Sequence, residues 1–138
     1  MASQGKYSKL IYFYTGLYRK GHRFTALVLE KLNFALFGAQ IPSSTIIGEK
    51  VYFPHYGLGI KIGVNTTIGN HCVIYQNSKL GRFGGNVIIG DNVLIGAGAE
   101  IESNKTVGSN SNIGANAYVN FDVSDQCTVI GNPGRVIR

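Results

Sequence analysis

Three histidines, two cysteines and a few arginines are the side chains able to carry chemistry in this 138-residue chain. His22 sits between Gly21 and Arg23 and reads as a solvated residue at a break in the chain. His71 fills a slot that asparagine takes elsewhere in a repeat described below, and histidine is among the residues that tolerate a left-handed corner. His55 has no such duty. It lies in Pro54-His55-Tyr56-Gly57, and a neutral imidazole near pH 7 can take a proton from a hydroxyl. Cys72 falls at a small interior position, so Cys72 and Cys127 read as two reduced thiols in a cytoplasmic protein.

These residues are set in a period-six pattern. An aliphatic or aromatic residue returns at 41, 47, 53, 62, 68, 74, 80, 89, 95, 101, 107, 113 and 119, thirteen positions of which nine are Ile. Two steps are nine residues long, from Phe53 to Ile62 and from Leu80 to Ile89. A period of six matches neither the 3.6 of a helix nor simple alternation, so the chain is a repeat architecture. Gly follows the large residue at eight places, and Asn stands three after it at 65, 77, 92, 104, 110 and 116. Both suit the left-handed backbone of a tight corner. Small or branched residues two places earlier, such as Thr66, Cys72, Ser78, Val93, Ala99 and Ala117, share the interior. Strand and corner alternate, and three such units close a triangular coil. Burying each Ile stabilises by roughly 1.5–3 kcal/mol.

Each nine-residue step lets three surplus residues into a corner, and loops inserted on a rigid scaffold are where ligands are handled. Once the surplus is removed, Ile47, Ile68, Ile89 and Val107 form one column. Phe53, Ile74, Ile95 and Ile113 form a second, and Ile41, Ile62, Leu80, Ile101 and Val119 a third. Outward neighbours then differ: Tyr52, Val73 and Leu94 make one face apolar, while Lys61, Lys79 and Glu100 make another charged. The apolar face predicts self-association. After Val119 the hexads stop.

Residues 1–38 form a helical segment, broken near Gly21-His22, ahead of the coil at 39–138. Leu10, Phe13, Tyr14, Leu17 and Tyr18 have helical spacing, as do Phe24, Leu27, Val28, Lys31 and Leu32. These faces predict packing under the first coil or against a neighbouring subunit. The segment carries six basic residues against Glu30 alone, +5 of the net +6, which allows a second expectation of peripheral contact with an anionic membrane. No known nucleic-acid motif accompanies the charge, the coil is nearly neutral, and nucleic-acid binding is not expected. No secretory signal is read at the N-terminus, and the longest uncharged apolar stretch is far short of a membrane span.

The repeat resembles that of the hexapeptide acyltransferases, and the ending Gly131-Asn132-Pro133-Gly134-Arg135 is similar to the Gly-Asn-Pro-Ala-Lys of many of them. The resemblance implies an all-β, left-handed parallel β-helix, an acetyl-CoA-dependent O-acetyltransferase, no metal, and homotrimers with active sites between subunits. It places the catalytic histidine of serine and sugar O-acetyltransferases at His55, with Gln40 where serine acetyltransferases carry an orienting Asp. An amide accepts a hydrogen bond but brings no charge. The pantetheine arm of CoA is expected along Gly96, Ala97 and Ala115, with its phosphates near Arg135 and Arg138. The later loop of serine acetyltransferases reads the amino acid with an Arg-His pair, whereas here Arg82 stands alone. That favours a sugar hydroxyl, with Tyr56 and Phe83 stacking on the ring, in surface polysaccharide synthesis. Serine acetylation and a catalytically weakened scaffold are the alternatives. A three-histidine metal enzyme of the γ-carbonic anhydrase type lacks its ligand spacing here.

Overall fold

The computed structural model describes residues 2–82 and 84–138. Phe83, expected to stack on substrate, lies outside the described residues. Two helices, α1 (Ala2–Arg19) and α2 (Arg23–Phe37), precede a three-sided parallel β-helix. The break falls at Gly21, whose φ is 94°.

The columns fall in the register the spacing predicts. One face stacks Ile46–Ile47, Thr66–Ile68, Val87–Ile89 and Thr106–Val107, with Ile47 beside Ile68 and Ile89 beside Val107. The second stacks Val73–Ile74, Leu94–Ile95, Asn112–Ile113 and Thr128–Ile130, and Tyr52 bridges to Val73. The third stacks Lys61–Ile62, Lys79–Leu80, Glu100–Ile101 and Tyr118–Val119, with Gln40 bridged to Lys61. The large residues and the small ones two places earlier are buried together in one core.

Two expectations need correction. The coil does not stop at Val119: Val123 bridges to Val107 on the first face and Val129 pairs with Ile113 on the second, both buried. A step of four replaced the step of six there, which hid the continuation. Arg135–Val136 then folds back antiparallel onto Thr128–Ile130. The glycines also serve a different purpose from the asparagines. The six Asn do take positive φ, from 54° to 64°, but of the repeat glycines that follow a large residue only Gly81 does. The others let neighbouring coils touch: a Cβ at Gly63 would lie 2.1 Å from the Gly81 carbonyl oxygen, and one at Gly69 2.5 Å from that of Gly90.

The helices close the first coil. Tyr7, Ile11 and Tyr14 are the buried side of α1, while Phe13 of the expected stripe is 59% exposed. The aromatic hydroxyls explain the choice. Tyr14 donates to the Ile41 carbonyl at 2.8 Å, and Tyr12 donates to the Gly48 carbonyl and accepts from the Val51 N–H. Strand-edge groups with no neighbouring coil are satisfied in this way. α2 buries Ala26 and Asn33, and the Asn33 amide donates to the Tyr14 hydroxyl and the Ala39 carbonyl. Its apolar stripe therefore faces outward, with Phe24 81% and Leu36 70% exposed. Packing of that stripe under the coil is not what the fold does. A helix with a small and polar inner side can sit close over aromatic hydroxyls, and this sends the large side chains out. No described helix is long and apolar enough to cross a membrane.

Candidate active site

The first insert folds into a tight turn, Pro54–Gly57, clamped from both sides. Below, the Asn77 N–H donates to the Leu58 carbonyl at 2.8 Å. Above, the Gly59 N–H donates to the Phe37 carbonyl at 3.2 Å, and the ring of Tyr7 covers Gly57 so closely that a Cβ there would lie 2.8 Å from it. Within the turn His55 (φ 56°, ψ 39°) and Tyr56 (φ 57°, ψ 25°) are both left-handed. His55 thus shares the corner backbone of His71 (φ 58°), contrary to the expectation that it has no turn duty. What separates the two is the surroundings.

His55 is exposed and lines a groove of about 420 Å³ with Tyr75, Gln76, Leu94, Gly96, Ala97, Ile113, Gly114 and Ala115. The structure thereby brings together the expected base and the expected pantetheine contacts Gly96, Ala97 and Ala115. The groove follows the corner between the second and third faces. Along the second face Phe53, Ile74, Ile95, Ile113 and Val129 rise by four coil steps, about 19 Å at ~4.8 Å each. Arg135 and Arg138 are exposed and lie beyond that end, Arg135 paired with Ile130 and the Arg138 carbonyl accepting from the Thr128 N–H. An extended arm could therefore have its thiol at His55 and its phosphates at the arginines.

Gln40, Tyr56 and Arg82 are placed elsewhere. Gln40 uses its backbone to pair with Ile60 and Ile62, and among the described residues its exposed side chain makes no hydrogen bond to His55. It lines a separate recess of about 320 Å³ at the other edge of the charged face, with Glu30, Pro42, Lys61, Gly63, Arg82 and Gly84. The backbone pairing fixes that outcome, since Gln40 stands beside Lys61 on the face and not beneath the turn. Arg82 there lies 4.0 Å from Glu100. Tyr56 is stacked on Phe37 (centroids 5.6 Å, 6°) and meets the edge of Tyr7 at 6.3 Å. One side of its ring is thus occupied by the helices, and it does not reach the groove.

Both cysteines are free. Cys72 is buried and donates to the Gly90 carbonyl at 3.0 Å, and burial pushes its thiol up, which removes it as a nucleophile. Sequence reasoning missed Gln76 and Tyr75 in the groove, and Glu30 and Lys61 in the recess. Coil arithmetic could have found the first pair, since one step from the insert leads to them.

The fold is a parallel β-helix, and residues 86–120 match the family model described as "Bacterial transferase hexapeptide (six repeats)". The particular proteins it resembles are serine acetyltransferases. The enzyme from Synechococcus elongatus is 36% identical over 121 residues, covering 80% of this chain and 47% of its own length. The soybean serine acetyltransferase apoenzyme superimposes with a TM-score of 0.86 at 33% identity, covering 95% of this chain and 56% of that one. A serine acetyltransferase solved in complex with CoA gives 0.85 at 30% identity, covering 95% of this chain and 55% of that one. The chain thus spans about half the length of these relatives.

Proposed function

We propose that this chain transfers the acetyl group of acetyl-CoA to the hydroxyl of a small acceptor, and that the acceptor is serine. The observation that carries the reading is the shared groove of His55, Gly96, Ala97 and Ala115. His55 takes the acceptor proton as the oxygen attacks the thioester carbonyl. The tetrahedral intermediate collapses with loss of the C–S bond, and the imidazolium returns the proton to the departing thiolate. The products are the O-acetyl ester and free CoA thiol.

Serine displaces the sugar expected from the sequence for two reasons. The relatives are named for it, and the second recess holds charges of both signs, Lys61 and Arg82 with Glu30. A zwitterion needs such a pair, cations for its carboxylate and an anion for its ammonium. The groove and the recess flank opposite edges of the charged face, so a neighbouring protomer must bring one to the other. We therefore keep the trimer. The outward stripe of α2, with Lys31 in the same patch and Arg19, Lys20 and Arg23 near its N-terminal end in the sequence, supports peripheral contact with an anionic lipid surface at the cytoplasmic side of a membrane. Lys31 within the stripe disfavours pairing with a second copy.

The test is release of CoA thiol from acetyl-CoA with serine and with a panel of sugars. Serine is expected to exceed any sugar, His55→Ala to abolish release, and mixed His55→Ala and Arg82→Ala protomers to regain part of it. A sugar acting faster than serine, or a fully active His55→Ala variant, would overturn the reading.

A further inference from the structure

The turn holds His55 by its backbone, yet its ring makes no hydrogen bond among the described residues, and Gln40 is in the other recess. An imidazole that acts as a base through one nitrogen carries its proton on the other, and that N–H needs a partner to fix the tautomer and the ring plane. The groove offers one. Gln76 stands at the corner of the coil next to the insert, and its amide oxygen is buried without a hydrogen-bond partner. A buried carbonyl oxygen left in that state destabilises the fold. Shielding keeps solvent from it, so a donor that turns into the groove must supply the bond.

The position of Gln76 is fixed from both neighbouring coils. Its backbone carbonyl accepts from the Gly98 N–H at 3.1 Å, and the next residue, Asn77, ties to Leu58 at 2.8 Å, three residues from His55. The other side chains in the groove are apolar or small, apart from Tyr75.

We infer that Gln76 is the positioning residue for His55, its amide oxygen accepting the imidazole N–H when the ring turns into the groove. This rests on the proposed role of His55 as base. The arrangement leaves the lone pair of the other nitrogen facing the acceptor hydroxyl. Because the amide is neutral, it orients the ring without stabilising the imidazolium as a carboxylate would.

Nitrogen-15 spectra of the histidines, with His55 assigned by its loss in His55→Ala, read the contact directly. In the intact protein neutral His55 is expected in one tautomer, and in Gln76→Leu as a mixture of both. Activity adds a second reading: Gln76→Leu lowers kcat about 10–100-fold with KM for acetyl-CoA within twofold. Gln76→Glu restores kcat. Gln76→Leu should melt within a few degrees of the parent, since at most one hydrogen bond is lost and an apolar side chain takes the place of the amide, and this separates positioning from folding. An unchanged tautomer in Gln76→Leu refutes the contact. So does a raised KM for acetyl-CoA at unchanged kcat, which makes Gln76 a cofactor contact. Should His55→Ala retain full activity, the role of His55 as base fails while the spectra still decide the contact.

Discussion

Replacing His55 by glycine or asparagine should remove activity without loss of stability, because His55 sits in a backbone conformation that its own side chain disfavours. At φ 56° and ψ 39° it is in the left-handed region, which costs an L-residue roughly 1–2 kcal/mol and a histidine the lower end of that range. Glycine relieves this cost but adds about 0.5–1 kcal/mol of chain entropy in the unfolded state. Asparagine keeps a side chain and tolerates the region. Both variants should therefore fall within about 1 kcal/mol of the parent. At about 2.1 cal/mol/K per residue, the unfolding entropy of a chain of this length makes 1 kcal/mol equal to roughly 3–4 °C in Tm. Loss of a general base lowers the rate about 10²–10⁴-fold. Tyr56 provides the contrast: it shares the strained backbone at φ 57°, but its ring is packed on Phe37 and Tyr7. Tyr56→Gly should cost roughly 1 kcal/mol net: about 1.5–2.5 for half-burying the aromatic, less about 1–2 of strain relieved, plus about 0.5–1 of glycine chain entropy. Differential scanning calorimetry and the thiol-release assay measure the two effects. A His55→Gly protein that melts more than about 5 °C low, or keeps a third of its activity, would refute the reasoning.

Burial pushes the Tyr7 hydroxyl up to about 12, with Asn33 offsetting part of the shift, and burial raises Tyr12 and Tyr14 as well. The protonated forms are favoured by the fold, so stability is full below about pH 10 and is lost as pH rises through the raised values; urea unfolding at several alkaline pH values should show this, with a shallower loss in Tyr7→Phe. Gly96→Val should cost about 3 kcal/mol and lose acetyl-CoA binding by calorimetry, since its Cβ would meet the Ala115 nitrogen at 2.5 Å. Gly16→Ala, in open space on α1, should gain about 0.5–1 kcal/mol in urea unfolding. Phe24→Ser with Leu27→Ser should end sedimentation with vesicles containing phosphatidylglycerol; a change in molar mass by light scattering would instead assign the stripe to self-association.

The coil was legible because its interior repeats. Each column needs only a large residue every third inward position, and counting recovers the register down to Ile46 beside Thr67. Counting could not tell why a glycine was present. Conformational need and closeness between coils select the same residue, and only the backbone angles separate Gly69 from Gly81. Helical spacing likewise shows that α2 has an apolar stripe and says nothing of which way it turns. Outward apolar residues were also undercounted, since Ile46 and Ile88, 56% and 48% exposed, add a strip to the first face. At the site, His55 stood out because the insert broke the period. Gln76 did not, because its place in the repeat is ordinary and its meaning comes only from the loop above it. Gln40 was assigned by distance along the chain, whereas its partner across the coil decided its position.

A stack of equal steps has no inherent length, so something must end it. Tyrosine hydroxyls do so at one extremity, and at the other the strand Arg135–Val136 runs antiparallel and takes up hydrogen bonds that another parallel coil would have used. Deleting residues 131–138 would uncover that edge while the tyrosine end stays closed, so such molecules should pair end to end and stop there, doubling the molar mass seen by light scattering.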